Sequence, residues 1–147
     1  MFIELLGPIF HNFILHTAVG ECAGVIIDLV STLLYDSEEK LAWAKQALDE
    51  QLYADSIYHS YSAFINTAKA MLLTVDQKPS TQIQTMNDFQ KHFVESGLIS
   101  DAGDFTSFVL RMSKEEPSEH FARQYMNDAK KFLADIYAYK NLEKQMA

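Results

Sequence analysis

The sequence is poor in the residues that interrupt helices, with five glycines and three prolines among 147 residues, whereas 48% of its residues are hydrophobic. So few turn residues favour long helices with short connections over many short strands. A chain of this length buries roughly two thirds of the surface that it exposes when unfolded, so a single domain needs no disulfide staple. We therefore predict an all-α fold, an up-and-down helical bundle of about five helices.

Cysteine is almost missing, since Cys22 is the single one. One thiol excludes an internal disulfide, and it cannot supply the cysteine set of a structural zinc site or an iron–sulfur cluster. His11 and His16 are five residues apart, which differs from the spacing of three or four that places two ligands on one helix face. The sequence thus predicts a cytoplasmic protein with no metal site and no cofactor.

Basic residues are also scarce, because 12 Lys and Arg stand against 20 Asp and Glu, for a net charge of -8. This charge repels a phosphate backbone unless the basic side chains share one face, and the sequence does not gather them. The apolar run from Ile9 to Leu15 is interrupted by His11 and Asn12 and is too short to cross a bilayer. We expect neither nucleic acid nor a membrane as a partner.

The stretch from Tyr53 to Leu98 organises the chain. Its first half has large apolar residues at intervals of three and four, which is typical of an amphipathic helix. The residues between them predict a polar opposite side, and they are Asp55, Ser56, Ser60, Ser62, Asn66, Thr67 and Lys69. With the apolar positions of the following helix and of the last helix, the pattern predicts a core that includes Tyr61, Phe64, Ala68, Leu72, Phe89, Phe93 and Phe132.

Local signals divide this stretch into two helices. Pro79 disfavours helical backbone for the residue before it, so the first helix should stop near Val75 to Gln77. Thr81 and Gln84 match the reciprocal capping box that begins a second helix. Gly97 predicts its end, because a helix that closes with a left-handed residue prefers glycine.

The rest of the chain predicts further helices and two regions. Residues 1–24, broken by Gly7 and Pro8, read as an N-terminal segment that packs on the bundle or on a partner, and residues 25–147 read as the bundle. Val25 to Leu52 has a helical stripe. A shorter helix is outlined by Phe105, Phe108, Val109 and Met112, and a long last helix follows Pro117, which suits a first helical turn.

The central pattern resembles the small bacterial HEPN domains, which are all-helical bundles. The residues that carry the resemblance precede and follow a Pro-containing loop: Tyr58, Tyr61, Phe64, Ala68, Lys69, Ala70, Leu72 and Leu73, then Phe89, Lys91, His92, Phe93, Gly97 and Leu98. Residues 19–25, VGECAGV, are also similar to the C-terminal HEPN-like region of some nitrite and sulfite reductase-like proteins. That likeness implies an accessory portion of such a protein, which would not itself be a reductase.

The HEPN resemblance also implies where chemistry would lie. Ribonucleases of that family carry an arginine followed after four to six residues by a histidine. The nearest equivalent here is Arg111 and His120, with a gap of eight residues that holds three glutamates and a proline. Carboxylates beside the pair would repel an RNA phosphate, so an ion pair of Arg111 with Glu115 or Glu116 is the structural alternative.

A small basic site is the remaining candidate. Lys69, Lys91, His92 and Arg111 could bind an anion or a nucleotide, although adjacent residues such as Lys91 and His92 point in different directions on a helix. His92 is also expected to cap or fill a groove between helices. We therefore predict a non-catalytic HEPN-type binding or assembly module, a homodimer or the partner of another protein. The alternatives are a divergent HEPN ribonuclease and a nucleotide- or anion-binding domain.

Overall fold

The computed structural model describes residues 19–78, 80–97 and 104–146, with the side chains from residue 24 to residue 141 within these ranges. Five α-helices follow one another: α1 (Val19–Asp49), α2 (Tyr53–Leu73), α3 (Gln82–Phe89), α4 (Phe105–Leu110) and α5 (Glu119–Met146). A π-helical turn (Gln90–Val94) extends α3, and a 3₁₀ turn (Arg111–Lys114) extends α4. No strand occurs in these ranges, so the predicted all-α bundle is confirmed.

Helix α2 is the centre of the bundle, since it packs against α1, α3 and α5. The seven residues predicted for the core are all buried in it: Tyr61, Phe64, Ala68, Leu72, Phe89, Phe93 and Phe132. The rings of Phe64, Phe89, Phe93 and Phe132 belong to one connected aromatic cluster. In this cluster Phe89 lies 4.5 Å from Phe105 and 5.3 Å from Phe132 between centroids. Aromatic side chains thus join α3 and α4 to the last helix.

The polar side predicted for α2 is wrong for Ser56, Ser60 and Thr67, which are buried. Ser56 Oγ donates to the Ala44 carbonyl at 2.8 Å, and Thr67 Oγ1 donates to Ser37 Oγ at 3.0 Å. The small hydroxyls of Ser56 and Thr67 let α1 approach α2 closely, and their hydrogen bonds offset the cost of burial. The Ser60 hydroxyl is buried without a hydrogen-bond partner among the described residues. Helix α2 is therefore enclosed on most of its circumference.

The predicted helix boundaries differ slightly from those in the structure. Helix α2 ends at Leu73, a little before the predicted stop. Thr81 caps α3 as expected, with its Oγ1 accepting from the Gln84 backbone N–H at 3.2 Å, but the Gln84 side chain donates to Asp88 instead of returning to Thr81. Gly97 has the left-handed φ of 83° that its position required.

Helix α5 begins two residues after Pro117, at Glu119. Ser118 Oγ accepts from the Phe121 backbone N–H at 3.1 Å, so this serine is the cap and the proline precedes it. At the other end of the chain, α1 runs without interruption across residues 24 and 25. Residues 1–18 of the predicted N-terminal segment lie outside the described residues.

Candidate functional site

Arg111 opens the 3₁₀ turn after α4, and its guanidinium is held by groups of the same bundle. Its Nη1 donates to the Phe108 carbonyl at 2.8 Å, and its Nη2 donates to the Asp128 carboxylate on α5. The guanidinium carbon lies 4.2 Å from the ring centroid of Phe108 and 4.9 Å from that of Tyr125. Arg111 therefore ties the end of α4 to the last helix by charge and by cation–π contact.

The predicted ion pair of Arg111 with Glu115 or Glu116 is wrong. The backbone becomes extended at Glu115, with φ -112° and ψ 142°, so the chain leaves the 3₁₀ turn there. The Arg111 side chain instead turns towards Asp128, and the two side chains are only 25% and 31% exposed. A pair screened from water on this scale is stronger than one in an exposed loop.

Tyr125 completes the Arg111 cluster, which we define as Phe108, Arg111, Tyr125 and Asp128. Its hydroxyl is buried and donates to the Val109 carbonyl at 2.6 Å. Burial raises the pKa of Tyr125 well above its ordinary value, while Arg111 lowers it and Tyr61 raises it further. Tyr125 thus stays neutral over the physiological range and acts as a structural donor.

His120 lies in the first turn of α5, where its side chain is exposed. Its neighbour Glu119 accepts from Arg123 at 3.3 Å and from the Tyr53 hydroxyl at 3.4 Å. In the part of the chain that the structure describes, no hydrogen bond or ring contact joins His120 to Arg111. A catalytic arginine and histidine act on the same phosphodiester, and this single chain gives them no shared contact.

The other basic candidates are dispersed. Lys69 is half-buried on α2, whereas Lys91 is exposed and His92 is half-buried in the π-helical turn. The His92 carbonyl accepts from Ser96 Oγ at 2.6 Å, but no bond of the His92 side chain occurs within the described ranges, so the predicted cap is not seen. Among described residues, no hydrogen bond or ion pair connects these side chains to one another or to Arg111.

A second cluster escaped the sequence analysis. The Trp43 ring of α1 and the His59 ring of α2 meet edge to face at 5.6 Å, and Tyr58 lies 5.8 Å from His59. Lys40 Nζ sits 4.5 Å from the Trp43 ring centroid. The signal available in the sequence was the pair of ring-bearing residues Tyr58 and His59, but only the α1–α2 packing brings Trp43 to them.

His59 predicts a dependence of stability on pH. Burial lowers its pKa from the ordinary 6.5, Lys40 acts in the same direction, and Asp55 opposes them. The unfolded chain then binds a proton at a higher pH than the folded chain, so the free energy of unfolding decreases as pH falls below about 6.5. The decrease continues until the folded-state pKa is passed.

Denaturant titrations of the wild type and of H59Q at several pH values between about 7 and about 5 check this expectation. H59Q should lose less stability on acidification than the wild type, because glutamine carries no titrating proton in this range. Equal losses in the two proteins would show that His59 is not the responsible group.

Neither a cluster of metal ligands nor a helix suited to span a membrane occurs among the described residues. No three histidine, cysteine, aspartate or glutamate side chains in this part of the chain lie together as a metal site requires. None of the described helices combines the length and the apolar character that a bilayer crossing demands.

Comparison with known proteins finds one distant likeness. A protein of Methanocaldococcus jannaschii described as a putative toxin is 28% identical to this chain, over 73% of this chain and 85% of that protein. No family model matches the chain. No solved structure matches it.

Proposed function

We propose that this chain is a HEPN-type helical module that acts by binding proteins and does not cleave RNA itself. The all-α bundle and the burial of Tyr61, Phe64, Ala68 and Leu72 agree with the HEPN resemblance of the sequence. Small toxin-like proteins are commonly of this type, which makes the distant toxin-named relative compatible with the proposal.

The Arg111 cluster is the single observation that carries the non-catalytic part of the proposal. A phosphate-binding arginine offers free N–H donors to its ligand. Here one donor group is bound to Phe108 and another to Asp128, and aromatic rings lie against the guanidinium. A phosphate at the remaining N–H donors would lie near the Asp128 carboxylate, and repulsion between the two negative charges opposes its binding.

The partner of the module is a protein in a reducing cytoplasm. The accessory role beside a sulfite or nitrite reductase-like protein is part of this proposal, and its support is the motif at residues 19–25. This motif falls in the first turns of α1, whose side chains up to residue 23 lie outside the described residues. A nucleotide or another anion is a weaker candidate ligand, since Lys69, Lys91 and Arg111 are not gathered by any described contact.

A ribonuclease is the second candidate, and the name of the Methanocaldococcus jannaschii protein as a putative toxin favours it. In that case Arg111 must present its remaining N–H donors to a phosphate beside Asp128, and His120 must reach the same phosphodiester. Exposed His120 is available for such a role, since no described side chain holds it.

Incubation of the purified full-length chain with a labelled RNA pool tests the proposal. We expect wild-type protein and H120A to leave the RNA lengths equally unchanged. His120 is exposed, so H120A removes the candidate acid–base group without disturbing the core. RNA shortened by the wild type and spared by H120A would overturn the proposal and assign the ribonuclease function.

A further inference from the structure

Helix α2 has one narrow face that the described part of the bundle covers only partly. Between Ser56 and Leu73 every residue is buried except five, four of which are Tyr58, Ser62, Asn66 and Lys69. The fifth, His59, lies at the edge against Trp43. Exposed Asp55 extends this face by one turn, so we define the α2 strip as Asp55, Tyr58, Ser62, Asn66 and Lys69.

The α2 strip is symmetric about its middle residue. Ser62 lies seven residues from Asp55 and seven from Lys69, and four residues from both Tyr58 and Asn66. Reversing the direction of the helix therefore exchanges Asp55 with Lys69 and Tyr58 with Asn66, and it leaves Ser62 in place. The charged ends exchange sign in this operation, because an acid stands at one end and a base at the other, about 21 Å apart along the helix.

We propose that the α2 strip is a homodimer interface, in which a second copy of this chain packs its own strip in antiparallel orientation. The two-fold axis passes beside Ser62. Asp55 then faces Lys69 of the partner subunit, and Lys69 faces Asp55 of the partner subunit, as an isologous interface requires. Tyr58 faces Asn66 of the partner subunit in the same way.

The charges of the strip select this partner and this orientation. The ion pairs among the described residues are Lys45–Asp49, Arg111–Asp128, Arg123–Glu119 and Lys131–Asp135, and they use neither Asp55 nor Lys69. A parallel pair of strips would place like charges opposite each other, which is repulsive.

The sizes of the side chains agree with the charges. Ser62 is small, so two helices can approach closely at the axis, and its Oγ already donates to the Tyr58 carbonyl at 3.1 Å. Tyr58 is 61% exposed and Trp43, which also contacts His59, is 42% exposed, so aromatic area is available one turn from the axis. The spacing of seven residues drifts slowly around a helix and suits two helices that cross at a small left-handed angle.

This inference deepens the proposed binding function by naming the partner, and in that sense rests on it. The two proposals can fail separately, because RNA cleavage would depend on Arg111 and His120, whereas association depends on the α2 strip. A dimer that cleaves RNA would overturn the first and leave the second intact.

Charge exchange at the ends of the strip provides the test, with mass measured by light scattering and sedimentation over a range of concentrations at low salt. The wild type is expected to be a dimer. D55K places two lysines opposite each other at both ends, K69D places two aspartates there, and each should weaken the dimer by about tenfold or more. The double variant D55K/K69D restores opposite charges and should regain a dissociation constant close to that of the wild type.

Mixing the two single variants is the sharper measurement. D55K carries lysine at both ends of its strip and K69D carries aspartate at both ends. The mixture should therefore form a heterodimer that is more stable than the homodimer of either variant. D135K is the matched control, because it changes the net charge as D55K does on an exposed position of α5, and it should leave the mass unchanged.

A cysteine at the axis gives a second readout. With Cys22 replaced (C22S), S62C should form a covalent dimer on mild oxidation, while N66C, one turn from the axis, should not. A wild-type monomer at all concentrations would overturn the proposal. A dimer that is indifferent to D55K and K69D, or that is not cross-linked through S62C, would overturn it equally.

Discussion

Replacing Phe64 by alanine (F64A) is expected to lower the free energy of unfolding by about 3–5 kcal/mol, through lost burial and an unfilled cavity. Phe64 has no exposed surface, and its ring lies 5.3 Å from Tyr125, 5.7 Å from Phe132 and 5.9 Å from Phe108 between centroids. It therefore joins the central helix to α4 and α5 at a single point. Urea titration followed by circular dichroism measures the loss.

Y35A is the control for F64A, because Tyr35 is an aromatic residue with 62% of its surface exposed on α1. Its removal should change the free energy of unfolding by no more than about 0.5 kcal/mol. A loss below about 1 kcal/mol for F64A would contradict the burial of this ring in the core. The comparison separates loss of a buried ring from loss of an aromatic side chain in general.

The second large effect is expected at Arg111, where R111A should destabilise the fold by about 1–3 kcal/mol. The substitution leaves the Asp128 carboxylate without its partner and removes the cation from the rings of Phe108 and Tyr125. Partial exposure of both charged groups keeps the cost below that of a fully buried pair. R111K should recover only part of the loss, since an ammonium cannot reproduce the planar contacts of a guanidinium.

R123A is the matched control, because Arg123 pairs with Glu119 on the surface of α5, where the two side chains are 52% and 61% exposed. We expect a change within about 0.5 kcal/mol for R123A. A double-mutant cycle of R111A and D128N then isolates the coupling of the pair. If R111A is as mild as R123A, Arg111 is not a structural residue, and its contacts do not withhold it from RNA.

The two predictions bear on one question, which is whether the centre of this bundle is built for packing or for chemistry. Phe64 and Arg111 belong to the same set of contacts, because Phe108 and Tyr125 touch both side chains. An arginine that contacts core aromatic residues in this way stabilises the fold, so its removal lowers the stability of the protein in addition to any effect on chemistry. This integration is why the measurement of stability must accompany the RNA assay.

Much of the fold was predictable from local patterns. Apolar residues at helical spacing identified the buried faces of α1, α2 and α5, because burial of one stripe is the main driving force for a helix to pack. Thr81 and Gly97 marked the start and the end of the second predicted helix through backbone requirements that depend on few neighbours. The surroundings of Ser56, Ser60 and Thr67 were missed, since a small hydroxyl is compatible with both water and a close helix contact.

The partners of charged residues were less predictable than the core. Nearby glutamates suggested a local ion pair for Arg111, whereas the guanidinium binds Asp128, 17 residues away along the chain. The Trp43–His59 contact likewise joins two helices. Sequence separation does not limit such pairs, because helix packing decides which side chains meet.

By itself, the sequence determined the all-α class, the central place of residues 53–97 and the buried aromatic residues, since each follows from periodicity and local backbone preference. Its charge pattern also contains the symmetry of Asp55, Ser62 and Lys69. Only the tertiary structure decided that α2 is enclosed except for this strip, and that Arg111 is occupied by Asp128. Both depend on which helices pack against each other, and that choice is made by the sum of many long-range contacts.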